Sequence, residues 1–117
     1  MGMVIKYVRV MADYCSTGLW DEDGVNACVE SYKLSPKTVK ALKDWCHEYE
    51  LNDDYLPFIE RKTPAFDIKA FSERGLEIAK MIKQDLPDWT VVYFDEYALS
   101  HHKGPREDRA PYEYEVN

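Results

Sequence analysis

A thiol beside an imidazole is the raw material of a nucleophile, and Cys46-His47 is where this 117-residue chain sets the two side by side. The surrounding pattern is helical. Neighbouring residues on a helix point about 100° apart, so the two side chains cannot act on each other. Cys46 falls on an apolar stripe and reads as core. Cys15 stands beside Ser16 and Thr17 just past a strand and is the better reactive thiol, but no base accompanies it. Three cysteines without a C-x-x-C pair signal neither a zinc knuckle nor a thioredoxin-like redox site.

Carboxylates and imidazoles offer one further constellation. Asp13 closes the first strand, Asp95 and Glu96 follow the last confident one, and His101 comes shortly after. Brought together, these four would serve a small enzyme or a metal-dependent accessory domain. A metal needs several convergent, oriented ligands, and the adjacent His101 and His102 point apart on a strand and are unfixed on a loop. The glycines are scattered, so neither a phosphate loop nor a dinucleotide fingerprint is present. The sequence therefore implies no metal, no cofactor and no catalytic residue.

Acids and aromatics combine more often. Trp20 is followed by Asp21, Glu22 and Asp23; Glu48 and Glu50 precede Asp53, Asp54 and Tyr55. Residues 11–32 carry five acids and residues 44–60 carry six, and neither stretch contains Lys or Arg. One reading is a solvated surface that keeps a small protein soluble. The other is a recognition surface, in which aromatics supply contact area and flanking carboxylates select a basic partner.

The elements that would position these residues follow from periodicity. Residues 4–14 are rich in β-branched and aromatic side chains and read as a strand. Residues 15–26 read as a loop with Trp20 as its plug, and 25–33 as a short strand. Ser35 as cap and Pro36 at the first helical position open a helix over 36–51, with Val39, Leu42, Cys46 and Tyr49 on its apolar stripe. Residues 52–66 form a long linker. A second helix spans 67–85 on the stripe Ile68, Phe71, Gly75, Ile78, Ala79, Ile82 and Leu86, and a glycine there predicts close approach of another backbone. Residues 90–94 read as a buried strand that pairs with the first. Residues 98–110 read as mobile, and 112–116 as an edge strand. The expected architecture is one α+β domain over 1–117: a small, mainly antiparallel sheet with two helices packed on one face.

Composition narrows the function. Twenty-two acids against 15 bases leave a net charge of -7, which argues against wrapping nucleic acid. No apolar run approaches the roughly 20 residues that span a bilayer, so no membrane role is expected. No signal peptide is legible, and the cytoplasm is the expected location.

The run Met11-Ala12-Asp13-Tyr14, then Gly18-Leu19-Trp20-Asp21, then Leu34-Ser35-Pro36 leading into a helix with Trp45 and Tyr49, resembles a group of small bacterial proteins without assigned function. In size, acidity and two-helix-plus-sheet plan the chain also resembles bacterial immunity proteins of contact-dependent growth inhibition systems. That second likeness is one of plan and carries no functional residue across. It implies a cytoplasmic inhibitor that binds a cognate, basic, nuclease-type toxin domain and occludes its site. Trp20, Asp21, Glu22, Asp23, Glu48, Glu50, Asp53, Asp54 and Tyr55 are the candidate partner-binding residues. The alternatives are the enzyme or accessory domain built on Asp13, Asp95, Glu96 and His101, and a homo-oligomeric module joined through the edge strand.

Overall fold

The structure, a computed structural model, describes residues 6–13, 16–51, 67–95, 97 and 113–117. The linker at 52–66 and the segment at 98–110 expected to be mobile lie outside the described residues.

Ser35 opens the first helix, α1 (Pro36–Leu51). Its Oγ accepts from the Thr38 amide at 3.3 Å and its carbonyl from the Val39 amide at 3.0 Å. Leu42, Trp45, Cys46 and Thr38 are buried along one side. The second helix, α2 (Ile68–Asp85), is capped by Asp67, whose Oδ1 accepts from the Ala70 amide at 3.1 Å. It buries Phe71, Ser72, Gly75, Ile78, Ala79 and Ile82; of the predicted stripe Ile68 is only partly buried, and Ser72 is added. Leu86 caps its C-terminus, and Pro87, which can continue no helix, comes next.

Among the described residues four strands form the sheet: β1 (Tyr7–Val10), β2 (Leu19–Trp20), β3 (Thr90–Phe94) and β4 (Glu113–Val116), in the order β2-β1-β3-β4. β2 runs antiparallel to β1, and β4 antiparallel to β3. The expected pairing of β1 with β3 is present and parallel, with Val8 opposite Val91 and Val10 opposite Tyr93. Parallel neighbours need a crossover connection, and both helices lie in it. The result is the α+β fold anticipated from the sequence, with antiparallel pairings in the majority.

Alternation along the strands sends Val8, Val10, Leu19, Val91, Tyr93 and Val116 into the core, all buried. Tyr93 joins this face to both helices: its ring lies 6.5 Å from that of Trp45 on α1, and its hydroxyl donates to the Ser72 carbonyl of α2 at 2.7 Å. Trp45 stacks on Phe71 at 4.7 Å and donates its Nε1–H to the Phe71 carbonyl at 3.0 Å. Each buried aromatic thus satisfies its polar atom while contributing apolar burial, worth about 1.5–3 kcal/mol for a side chain of Phe size.

Three expectations need correction. The atoms nearest to a Cβ at Gly75 belong to side chains, the Tyr93 hydroxyl and the Trp45 ring, where a backbone was expected. Residues 15–26 are not loop throughout: Gly18, at φ +84°, turns the chain so that Leu19–Trp20 pairs back on β1, with the Met11 amide donating to the Gly18 carbonyl at 3.0 Å. The strand expected within 25–33 is instead a 3-10 turn at Val29–Ser31, preceded by a single bridge from Asn26 to Trp20. Elements of two or three residues are too short to establish a period.

Candidate partner-binding surface

The sheet face turned away from the core carries Arg9, Trp20, Val92, Glu113 and Glu115, by the same alternation. Arg9 donates through Nη1 to Glu113 Oε1 at 3.2 Å, spanning β3 from β1 to β4. The two side chains are 12% and 22% exposed, so the pair is only partly screened by water. The Arg9 Nε is buried and has no hydrogen-bond partner among the described residues.

Beside Arg9 the chain makes a tight acidic turn. The Asp21 carboxylate accepts from the amides of Asp23 and Val25, both at 2.9 Å, and the Gly24 amide returns to the Asp21 carbonyl at 3.0 Å. Gly24 takes φ +78°, a conformation other residues rarely adopt. Asp21 therefore holds the turn, while Glu22 and Asp23 project into solvent. Trp20 is half-buried and fixed by its Nε1–H donating to the Met11 carbonyl at 2.9 Å. Trp20 therefore does not plug the loop into the core: it is tied to Met11 on the outer face of the sheet, and its neighbour Leu19 is the residue buried in the core. Trp20, Glu22 and Asp23, with Asp13, Met11 and Arg9, line one depression of about 510 Å³.

The second acidic stretch divides. Glu48 is half-buried, pairs with Arg74 of α2, and lines a groove between the helices. Glu50 is exposed and lines a separate depression with Lys43, Cys46 and His47. Asp53, Asp54 and Tyr55 lie outside the described residues. The structure thus gathers Trp20, Glu22 and Asp23 and adds Asp13 to them, while Glu48 and Glu50 belong to other depressions.

The Cys46 thiol is pushed up to about 11 by burial and, secondarily, by Glu50, so it stays protonated at neutral pH beside His47. Asp13 and Asp95 follow parallel strands and leave the sheet at the same end, yet they line different depressions. Asp95 is hydrogen-bonded to Tyr114, whose phenol is raised first by burial and then by that carboxylate. Glu96, His101 and Cys15 lie outside the described residues. Among the described residues, no three His, Cys, Asp or Glu side chains converge on a metal position. No helix among them is long and apolar enough to cross a membrane.

Sequence reasoning missed the Arg9–Glu113 pair, because it joins positions 104 apart in the chain. It also missed the acids that accompany Glu48 in the helical groove. Their i, i+4 spacing beside the two apolar stripes was the available signal.

The helices thus back one face of the sheet, and the other face ends in the acidic turn beside Trp20. A family model described as Serratia CdiI immunity protein-like matches residues 6–96, and the chain belongs to that family. The match runs from β1 through β3 and ends before β4. No curated protein matches the chain. Family membership confirms the resemblance read from the sequence and implies an immunity protein that binds a toxin.

Proposed function

We propose that the chain neutralises its cognate toxin in the cytoplasm by applying the acidic turn at residues 20–24 to a basic, nuclease-type surface. The observation that carries this reading is the division of labour within the turn. Asp21 and Gly24 fix its shape, and Glu22 and Asp23 stand exposed around a depression shared with Trp20 and Asp13. Carboxylates held this way stand in for substrate phosphates and steer a basic partner into contact. Trp20, already ordered, contributes contact area with little further loss of freedom. Inhibition is by occlusion and requires no reaction by the chain itself. Asp53, Asp54 and Tyr55 extend the proposed surface on the strength of sequence alone.

Self-association through β4 is disfavoured by charge. An antiparallel pairing of two copies centred on Tyr114 sets Glu113 of each against Glu115 of the other, a like-charge arrangement.

The direct test mixes the purified chain with the toxin domain encoded beside it. A stable one-to-one complex, and survival of cells producing both, is the expected result. Absence of a complex together with absence of protection removes the reading.

A further inference from the structure

The groove between α1 and α2 has a volume of about 770 Å³, within the range of sites that hold a ligand or a partner side-chain cluster. Ala41 and Trp45 line it from α1, and Ala70 and Ile78 from α2. Trp45 and Ile78 are buried. Its rims are carboxylates. Asp44 and Glu48 stand one helical turn apart on α1, and Glu73 and Glu77 one turn apart on α2.

Like charges at i, i+4 weaken a helix. Each helix carries such a pair, and both pairs face the same groove. This arrangement works against folding and needs another account. Neighbouring lysines offset part of it, Lys40 on Asp44 and Lys80 on Glu77, through exposed pairs that contribute little. The remaining contact is more informative. Arg74 reaches across from α2 to the Glu48 carboxylate, with both side chains roughly half exposed. The groove therefore already binds one guanidinium, supplied by its own wall.

We infer that the groove docks a basic, amphipathic helical segment of a protein partner. Its apolar side would cover Ala41, Ala70 and the edge of Trp45, and its arginines or lysines would take the carboxylate rails, displacing Arg74 from Glu48. The shape suits a helix laid along two others, and the rim charge selects a cationic one. Identifying that partner as the toxin rests on the function proposed above; the chemistry of the groove does not. This surface is distinct from the acidic turn, so one toxin could be held at two separated points.

The test uses the full chain, isotopically labelled, and a synthetic helical peptide with leucines at i, i+3, i+4 and i+7 flanked by arginines. The expected result is amide shift changes centred on Ala41, Glu48, Ala70 and Glu73. Glu73→Lys with Glu77→Lys, both exposed, should weaken the peptide roughly tenfold or more while the fold is retained. A peptide with glutamates in place of the arginines should not bind. Shift changes centred on residues 20–24, or an affinity that ignores the double substitution, would overturn the inference. The same double variant is then titrated with the toxin domain. If wild-type chain binds peptide in the groove but binds no toxin, the functional reading fails and the groove stands. If it binds toxin but seats no peptide, the groove fails and the functional reading stands.

Discussion

The indole of Trp45 occupies the place that a side chain at position 75 would need: a Cβ built on Gly75 lies 2.5 Å from Trp45 Cζ2 and meets the Tyr93 hydroxyl as well. Alanine is the better helix former by about 1 kcal/mol. Overpacking a filled core costs about 1–3 kcal/mol, and here the atoms that must move are rings held by hydrogen bonds to α2. Gly75→Ala should therefore lower the midpoint of urea unfolding. An increase in the midpoint would show that the rings yield easily and that the glycine has another reason to be there.

Gly75 also shows what a sequence conveys and what it withholds. Its place on an otherwise apolar stripe announced a close contact, since a mid-helix glycine is unfavourable without one. The identity of the contact lay in two side chains distant in sequence, and no local pattern names them. The same division holds for the fold. The helices were legible end to end, because Ser35-Pro36 and Asp67 are strong start signals and the apolar positions recur over many turns. The direction of β3 beside β1 was not, because both directions use the same alternation. Of the candidate surface, the cluster Trp20, Glu22 and Asp23 was legible as composition. The role of Asp21 in shaping the turn was hidden in its chemistry, since an aspartate before Gly24 signals a turn and a charge equally well. Arg9 and Glu113 gave no joint signal at all.

The two helices are also tied at their ends. Asp85, the last residue of α2, accepts from the Ser35 amide at 3.0 Å, at the start of α1. Burial works to raise its carboxyl, but hydrogen bonds from Thr38 and from the Ser35 amide and hydroxyl outweigh that, and the net shift is downward. A carboxyl whose folded pKa lies below its unfolded one adds stability in full above the unfolded value and loses it as pH falls through the folded value. Asp85→Ala should therefore be less stable at neutral pH, by about 1 kcal/mol if the contact is worth a typical helix cap. The gap from wild type should close on acidification below roughly pH 4. Thermal melts of both proteins across that range check this; a constant gap would assign the loss to packing.

Thiol chemistry offers an independent check on burial. A cysteine reacts as its thiolate. Cys46 is buried with its thiol pushed up to about 11, whereas Cys28 is exposed. Brief alkylation of the native protein near pH 8 should modify Cys28 and spare Cys46, as read by peptide mass mapping. Cys46 should become reactive only as urea unfolds the chain. Equal labelling of both in native buffer would contradict the packing of Cys46 against Gly18.

The acidic turn makes a kinetic prediction. Glu22 and Asp23 are exposed, and the turn is held by Asp21 and Gly24, so Glu22→Lys with Asp23→Lys should leave the fold intact. If the depression docks the toxin as proposed, reversing two charges beside it changes long-range attraction more than it changes contacts already made. Association with the toxin domain should slow roughly tenfold or more at low salt, with a smaller effect on dissociation. Because screening shortens electrostatic reach to about 8 Å at physiological ionic strength, the difference between variant and wild type should shrink as salt is added. Asp21→Ala provides the contrast. It removes the acceptor that shapes the turn, so it should act mainly on dissociation and persist in salt. Stopped-flow or surface-binding kinetics over a salt series separate the two patterns, and an association rate indifferent to both lysines at every ionic strength would remove the turn from the recognition surface.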